Sequence, residues 1–185
     1  MTLKNTIAMT DTAPVSLFTN KIFEILIATS ISKSEVLDLK VMCEGLCKLG
    51  FKITVLPKGD QTWDQACHEL SSSFLDAFNL LERLPANEDL ALKTSQLIFF
   101  GKEIDQRLLE KSKKKGIICA LPWSTCEMIP SLMNFDAQQE SGNCFLYTPE
   151  HSWDMVATMV RAFENYKFSY DWNQLKKRWK DTKLA

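Results

Sequence analysis

The side chains able to do chemistry fall into a few groups. Cys43 and Cys47 stand four residues apart, a spacing that places two thiols on one helix face and could begin a metal site. No His or further Cys follows nearby, and both thiols fall inside the apolar stripe of Leu39, Met42 and Leu46. Core cysteines are the better reading, and no metal is expected. Cys67 and His68 invite a nucleophile–base reading, but adjacent helical residues point about 100° apart and do not hydrogen-bond in that manner. His68 is then a solvent-facing helix residue and His151 a surface residue in a turn. Glu103 and Asp105 could act as an acid/base pair. They precede the charged run Gln106, Arg107, Leu108, Leu109, Glu110, Lys111, where two carboxylates more readily favour a helix N-terminus. No catalytic residue is assigned.

Two basic runs remain. One is Lys111, Lys113, Lys114, Lys115; the other is Lys176, Lys177, Arg178, Lys180, Lys183, interleaved with Trp172 and Trp179. Aromatic faces among cations suit sugars, phosphates or nucleic acid, although solvated helix C-termini explain such runs more simply. Over the whole chain 22 Lys and Arg balance 23 Asp and Glu, for a net charge of -1. No overall field draws the protein to nucleic acid or an anionic membrane, and neither is expected as a partner. Nor does any stretch approach the roughly 20 apolar residues of a membrane span, and the first 20 residues carry Lys4, Asp11 and Pro14 where a signal peptide has its apolar core. The six cysteines include no close C-x-x-C pair, which points to reduced thiols and a cytoplasmic location.

The elements that must position these residues alternate. Residues 1–20 show little periodicity and read as an extended lead-in; residues 21–185 read as a single domain. With 45% hydrophobic residues the chain can bury roughly 70% of its unfolded surface without disulfides or metal. Short β-branched or apolar runs predict strands near 23–28, 51–56, 77–81, 97–100, 117–121 and 144–146. Between them, Leu39, Met42, Cys43, Leu46 and Cys47 mark a helix stopped by Gly50. A second helix, capped by Asp60 or Thr62, carries Trp63, Ala66, Cys67 and Leu70, and Ser71, Ser72 and Ser73 read as its break. Asn87, with Glu88 and Asp89, opens a third through Thr94; the fourth spans 105–115. Ser152 is expected to cap a last helix with Trp153, Val156, Val160 and Phe163 on one face. Such alternation predicts an α/β fold, a doubly wound parallel sheet of Rossmann-like type with helices on both faces.

The order and spacing of these elements resemble the C-terminal lobe of bacterial glycogen and starch synthases, nucleotide-sugar glycosyltransferases of the two-lobed GT-B class. Four stretches carry the resemblance, at 25–60, 85–103, 142–166 and the closing W-x-x-L-x-x-R of Trp172, Leu175 and Arg178. It covers about residues 22–183. The resemblance also implies where donor-binding residues should stand. An S-R-L-x-x-Q-K-G motif after the first strand, whose Arg and Lys hold the donor phosphates, is met here by Ser30, Ile31, Ser32, Lys33, Ser34 and Glu35, with only a displaced Lys33 able to serve. The donor-site glutamate of S-x-x-E-P-C-G-L corresponds to Glu103, without the Pro-Cys-Gly-Leu context. The Thr-Gly-Gly loop is replaced by Leu121, Pro122, Trp123, Ser124, Thr125 and Cys126, with Trp123 set to obstruct what Gly-Gly leaves open. The acceptor-binding N-terminal lobe has no counterpart in this sequence.

The resemblance therefore implies a degenerate, non-catalytic lobe that acts by binding a protein partner or a glucan, with nucleotide-sugar binding weak and no cofactor. The rival is a glycosyltransferase subunit completed by a separate N-terminal lobe. Any retained ligand site is expected at the C-terminal ends of the strands. There, on a rim that also carries Asp60 and Glu103, Lys33, Lys58 and Lys102 would supply positive charge, hydroxyls and backbone amides would donate, and Trp123 would offer a stacking face.

Overall fold

The computed structural model describes residues 22–27, 35–56, 61–82 and 84–184. Its order is β1 (Glu24–Ile27), α1 (Val36–Lys48), β2 (Lys52–Val55), α2 (Gln61–Ser73), β3 (Phe78–Leu80), α3 (Pro85–Thr94), β4 (Leu97–Phe99), α4 (Gln106–Lys115), β5 (Ile118–Pro122), α5 (Thr125–Met128), β6 (Phe145–Tyr147), α6 (Ser152–Tyr166) and α7 (Ser169–Asp181). All six strands are parallel, in the order β3-β2-β1-β4-β5-β6. This is the doubly wound α/β fold that the alternation of runs predicts. β4, β5 and β6 are buried along their whole length, as continuous apolar strands covered on both faces must be.

α1 packs between α2 and α6, while α7 links α6 to α4 and reaches β5. In an alternating fold every strand ends, and every following helix starts, at one end of the sheet. At the other end an aromatic cluster closes the core: the Phe23 ring lies 5.9 Å from Phe51 and 6.0 Å from Trp172, and Phe145 stacks on Trp172 at 6.4 Å. Such pairs add about 0.5–1.5 kcal/mol each beyond burial.

Several local expectations are corrected. α2 does not break at Ser71; it runs through Ser73, because Ser71 and Ser72 donate their hydroxyls to the His68 carbonyl and Ser73 to that of Glu69, so the side chains bond to the helix instead of competing with it. α3 starts at Pro85, earlier than Asn87, since proline at the first position loses no helical hydrogen bond. Ser152 does not cap α6: His151 holds that position, and the Ser152 hydroxyl turns to another helix. Of the face expected for α6, Phe163 is buried and Val156 and Val160 pack half-buried against the core, but Trp153 is 83% exposed; Met155, Thr158, Met159 and Ala162 complete the buried face.

Trp172 and Trp179 are likewise core residues, 3% and 0% exposed, on one stripe of α7 with Leu175. They offer no aromatic face to a ligand. Gly50 ends α1 at φ 86°, as its position implied. Asp105 accepts from the Leu108 amide at 3.1 Å and so caps α4. The expected caps at 30–34 and Asp60 lie outside the described residues.

Candidate functional site

In an open α/β sheet the ligand crevice forms where strand order reverses, outside the C-terminal ends of the strands. Here that point lies between β1 and β4. The first turn of α1, the end of β4 and the end of β6 converge there around a crevice of about 10 Å³, lined by Glu35, Asp38, Phe99, Gly101, Tyr147 and Met155 among others. That is room for about one water molecule.

Tyr147 fills much of the space. Its ring stacks on Phe99 at 4.9 Å and its hydroxyl donates to the Phe100 carbonyl. Burial, and after it the negative charges of Glu35 and Glu150, push its pKa well above the ordinary tyrosine value, so the phenol stays protonated and serves as a fixed strut. Above it, Ser152 Oγ donates to Asp38 Oδ1 at 2.7 Å. The Thr148 amide donates to Asp154 Oδ2 at 2.7 Å and fixes the turn leading into α6. No Lys or Arg stands among the described residues that line the crevice. The charged side chains among those described residues are Glu35 and Asp38, both opposite in sign to what holds a diphosphate.

The expected site residues divide. Lys33, Lys58 and Asp60 lie outside the described residues. Lys102 and Glu103 are exposed in the bend between β4 and α4. Asp105, its side chain occupied at the α4 cap, is not free to complete an acid/base pair with Glu103. Trp123 follows β5, its amide donates to the Tyr147 carbonyl at 3.0 Å, and its ring is 49% exposed. Glu35, Asp38, Tyr147 and Ser152 were not singled out from sequence as site residues. The strand-end rule reaches Tyr147 and the first turn of α1, but not the Asp38–Ser152 link.

None of the thiols is in a setting that favours the thiolate. Burial raises the pKa of all six cysteines, Cys47 to about 11 and Cys67 to about 12. Nucleophilic chemistry needs a thiolate near neutral pH. No group of three metal-ligating side chains exists among the described residues, and Cys43 and Cys47 are core residues.

A separate cleft of about 420 Å³ opens beside the starts of β1, β2 and β3. Of its two carboxylates, Glu24 and Asp76, Glu24 accepts from Thr54 Oγ1 at 2.7 Å and Thr94 Oγ1 at 2.9 Å. Those bonds tie the sheet to the end of α3.

The sheet order and the reversal between β1 and β4 define a doubly wound, Rossmann-like α/β fold, and solved glycosyltransferase structures of the GT-B class share it. The comparisons agree on the fold. The chain is similar to the Anabaena protein HepE, solved in complex with UDP and glucose (TM-score 0.61, 12% identity, 86% of this chain and 43% of that one). It is also similar to the catalytic domain of the Helicobacter pylori cholesterol-α-glucosyltransferase (TM-score 0.54, 18% identity, 87% of this chain and 96% of that one). The chain thus spans less than half the length of HepE. No protein-family model matches it, and no curated protein does. No helix among the described residues is long and apolar enough to cross a membrane.

Proposed function

We propose that this chain is a degenerate, non-catalytic GT-B-like lobe, located in the cytoplasm, that works by binding a protein partner or a glucan. The observation that carries the reading is the crevice at the strand ends, which has room for about one water and is walled by Glu35 and Asp38 without a described cation. A nucleoside diphosphate needs both space and positive or amide donors. The changed motif residues at 30–35, 101–107 and 121–127 point the same way. Exposed Trp123 and Trp153 on the same rim, 49% and 83% accessible, are surfaces a partner could cover.

A second reading is a nucleotide-sugar glycosyltransferase subunit completed by a separate N-terminal lobe; the likeness to the UDP- and glucose-bound HepE structure favours it. Calorimetric titration with UDP-glucose and ADP-glucose separates the two. The binding reading expects no heat of association; micromolar binding of either nucleotide sugar overturns it in favour of the subunit.

A further inference from the structure

The two basic runs of the sequence meet in space. The C-terminal end of α4 and that of α7 flank a cleft of about 410 Å³ lined by Glu110, Lys113, Lys114, Lys180 and Leu184. It lies at the strand-start end of the molecule, since α4 runs back from the end of β4 to the start of β5. It is therefore remote from the crevice at the strand ends. We propose that this cleft is the surface on which the chain recognises an acidic, partly apolar peptide segment of a partner protein, an assignment that rests on the binding reading above.

The charge there is uncompensated. On the earlier turns of α4, Arg107 and Lys111 pair with Glu88 of α3, both at 2.6 Å. Lys113, Lys114, Lys115, Lys177, Lys180 and Lys183 form no ion pair with any carboxylate among the described residues. Two helix ends account for part of this, at about half a negative charge each. Their carbonyls are already partly satisfied: Lys113 O by the Gly116 amide, Ser112 O by that of Ile117, Trp179 O by that of Thr182, and Arg178 O by the Thr182 hydroxyl. Glu110 contributes one further negative charge. Three lining ammonium groups, with Lys115, Lys177 and Lys183 within three residues of them, exceed that demand.

The cleft is also held in shape. Gly116 closes α4 in the left-handed region at φ 67°, and the Lys180 stem passes directly over it, its Cε 2.5 Å from where a Cβ would stand. Beyond α7, Thr182 is buried and its hydroxyl accepts from Asn143 Nδ2 at 2.8 Å; the Lys183 carbonyl accepts from Ser131 Oγ. Leu184 is thereby fixed as an apolar wall.

The residue types select a peptide over a nucleic acid. Trp172 and Trp179 are buried and offer no stacking face. Among the described residues no guanidinium lines the cleft: Arg178 Nε donates to the Gly142 carbonyl and Arg107 is paired with Glu88, so these residues form no forked phosphate clamp. Ammonium groups beside a leucine match carboxylates that alternate with apolar side chains.

The test is fluorescence anisotropy with a dye-labelled peptide of repeating Glu-Glu-Leu, run beside oligothymidylate of equal length and inorganic polyphosphate. The wild-type chain is expected to bind the peptide and to lose it steeply with added salt. Lys114→Glu with Lys180→Glu should weaken it about tenfold or more, and the Gln pair by an intermediate factor. Lys93→Glu, on α3, should change nothing. Leu184→Ser should weaken the Glu-Glu-Leu peptide but not its Glu-Glu-Ala counterpart. Circular dichroism and the thermal midpoint verify that each variant is folded. Unchanged affinity in both lysine double variants, absence of peptide binding by the wild type, or equal or tighter binding of oligothymidylate or polyphosphate overturns the assignment. The UDP-glucose titration judges the underlying reading separately, so the two can fail independently.

Discussion

Ser152 Oγ donates to Asp38 Oδ1 at 2.7 Å, joining the first turn of α6 to the first turn of α1 across 114 positions of sequence. The hydroxyl that could have capped its own helix instead latches two walls of the strand-end crevice together, and it leaves the Asp38 carboxylate negative at the mouth. Ser152→Ala removes the latch while both groups can still reach water. The expected cost is about 1 kcal/mol, typical of one hydrogen bond to a charged acceptor that is partly exposed. Urea unfolding should show a lower midpoint with an unchanged slope. A variant as stable as wild type would mean that the bond is matched by solvation.

All six thiols have raised pKa values because burial disfavours the thiolate. At neutral pH the folded chain should react slowly with a thiol-directed disulfide reagent, and all six cysteines should react at once in denaturant. Cys126, partly exposed where the others are buried, should be the first to react in the native state. As pH rises the folded rate should climb first through Cys126, above the usual value of about 8.5, and Cys47 should join only near its value of about 11. A fast-reacting thiol at pH 7 would contradict this and reopen a nucleophilic role.

Periodicity made much of the fold legible. The stripe of Leu39, Met42, Cys43, Leu46 and Cys47 is the buried face of α1, because every alternative face carries charge. For α6 the spacing marks Trp153, Val156, Val160 and Phe163, but the buried face is turned from it toward Met155, Met159 and Ala162, sharing only Phe163; local sequence does not say which part of a broad apolar arc meets the sheet. Trp172, Leu175 and Trp179 stand at i, i+3 and i+7, a spacing that suits a core stripe, and the structure buries all three; their interleaving with lysines equally suits exposed aromatic faces among cations. The acidic crevice and the meeting of the two basic runs were not legible, since both depend on contacts between distant segments. Of the expected rim, Lys33, Lys58 and Asp60 lie outside the described residues, so only Lys102, Glu103 and Trp123 have a place in the structure.

Lys40 Nζ lies 2.6 Å from Glu69 Oε2 and bridges α1 to α2. The hydrogen bond to Glu69 and its charge raise the Lys40 pKa, and the same bond lowers that of Glu69. The lowered carboxylate contributes stability that is present above its unfolded value and lost as pH falls through the folded one. The raised ammonium contributes stability present below its unfolded value and lost as pH rises through the folded one. Lys40→Met should therefore carry a small deficit against wild type between about pH 5 and pH 10. It should vanish in strong acid, strong base and molar salt, because the pair is solvent-exposed. A deficit that persists in molar salt would show that the lysine stem, not its charge, matters. Denaturant midpoints of both proteins across pH provide the comparison.

Gly142 and Gly45 set up opposite outcomes for the same substitution. Gly142 has φ 82°, and a Cβ there would sit 2.2 Å from the Asn134 carbonyl oxygen, 2.5 Å from its carbon and 2.6 Å from Phe135 Cα. These are backbone atoms held on both sides: Phe135 N donates to Cys144 O, and Asn134 Oδ1 accepts from the Leu146 amide. Moving them would disturb β6 and the Arg178 bond to the Gly142 carbonyl at 2.7 Å. A left-handed non-glycine residue alone costs of order 1–3 kcal/mol, so with the clash Gly142→Ala should destabilise by about 3 kcal/mol or more. Gly45 lies in α1 with nothing within 4 Å of the added carbon. There Ala replaces a poor helix former at no steric cost, and the chain should gain up to about 1 kcal/mol. Thermal and urea unfolding of the two variants check both signs, and a Gly142→Ala protein as stable as wild type would overturn the close packing of residues 134–135 against Gly142.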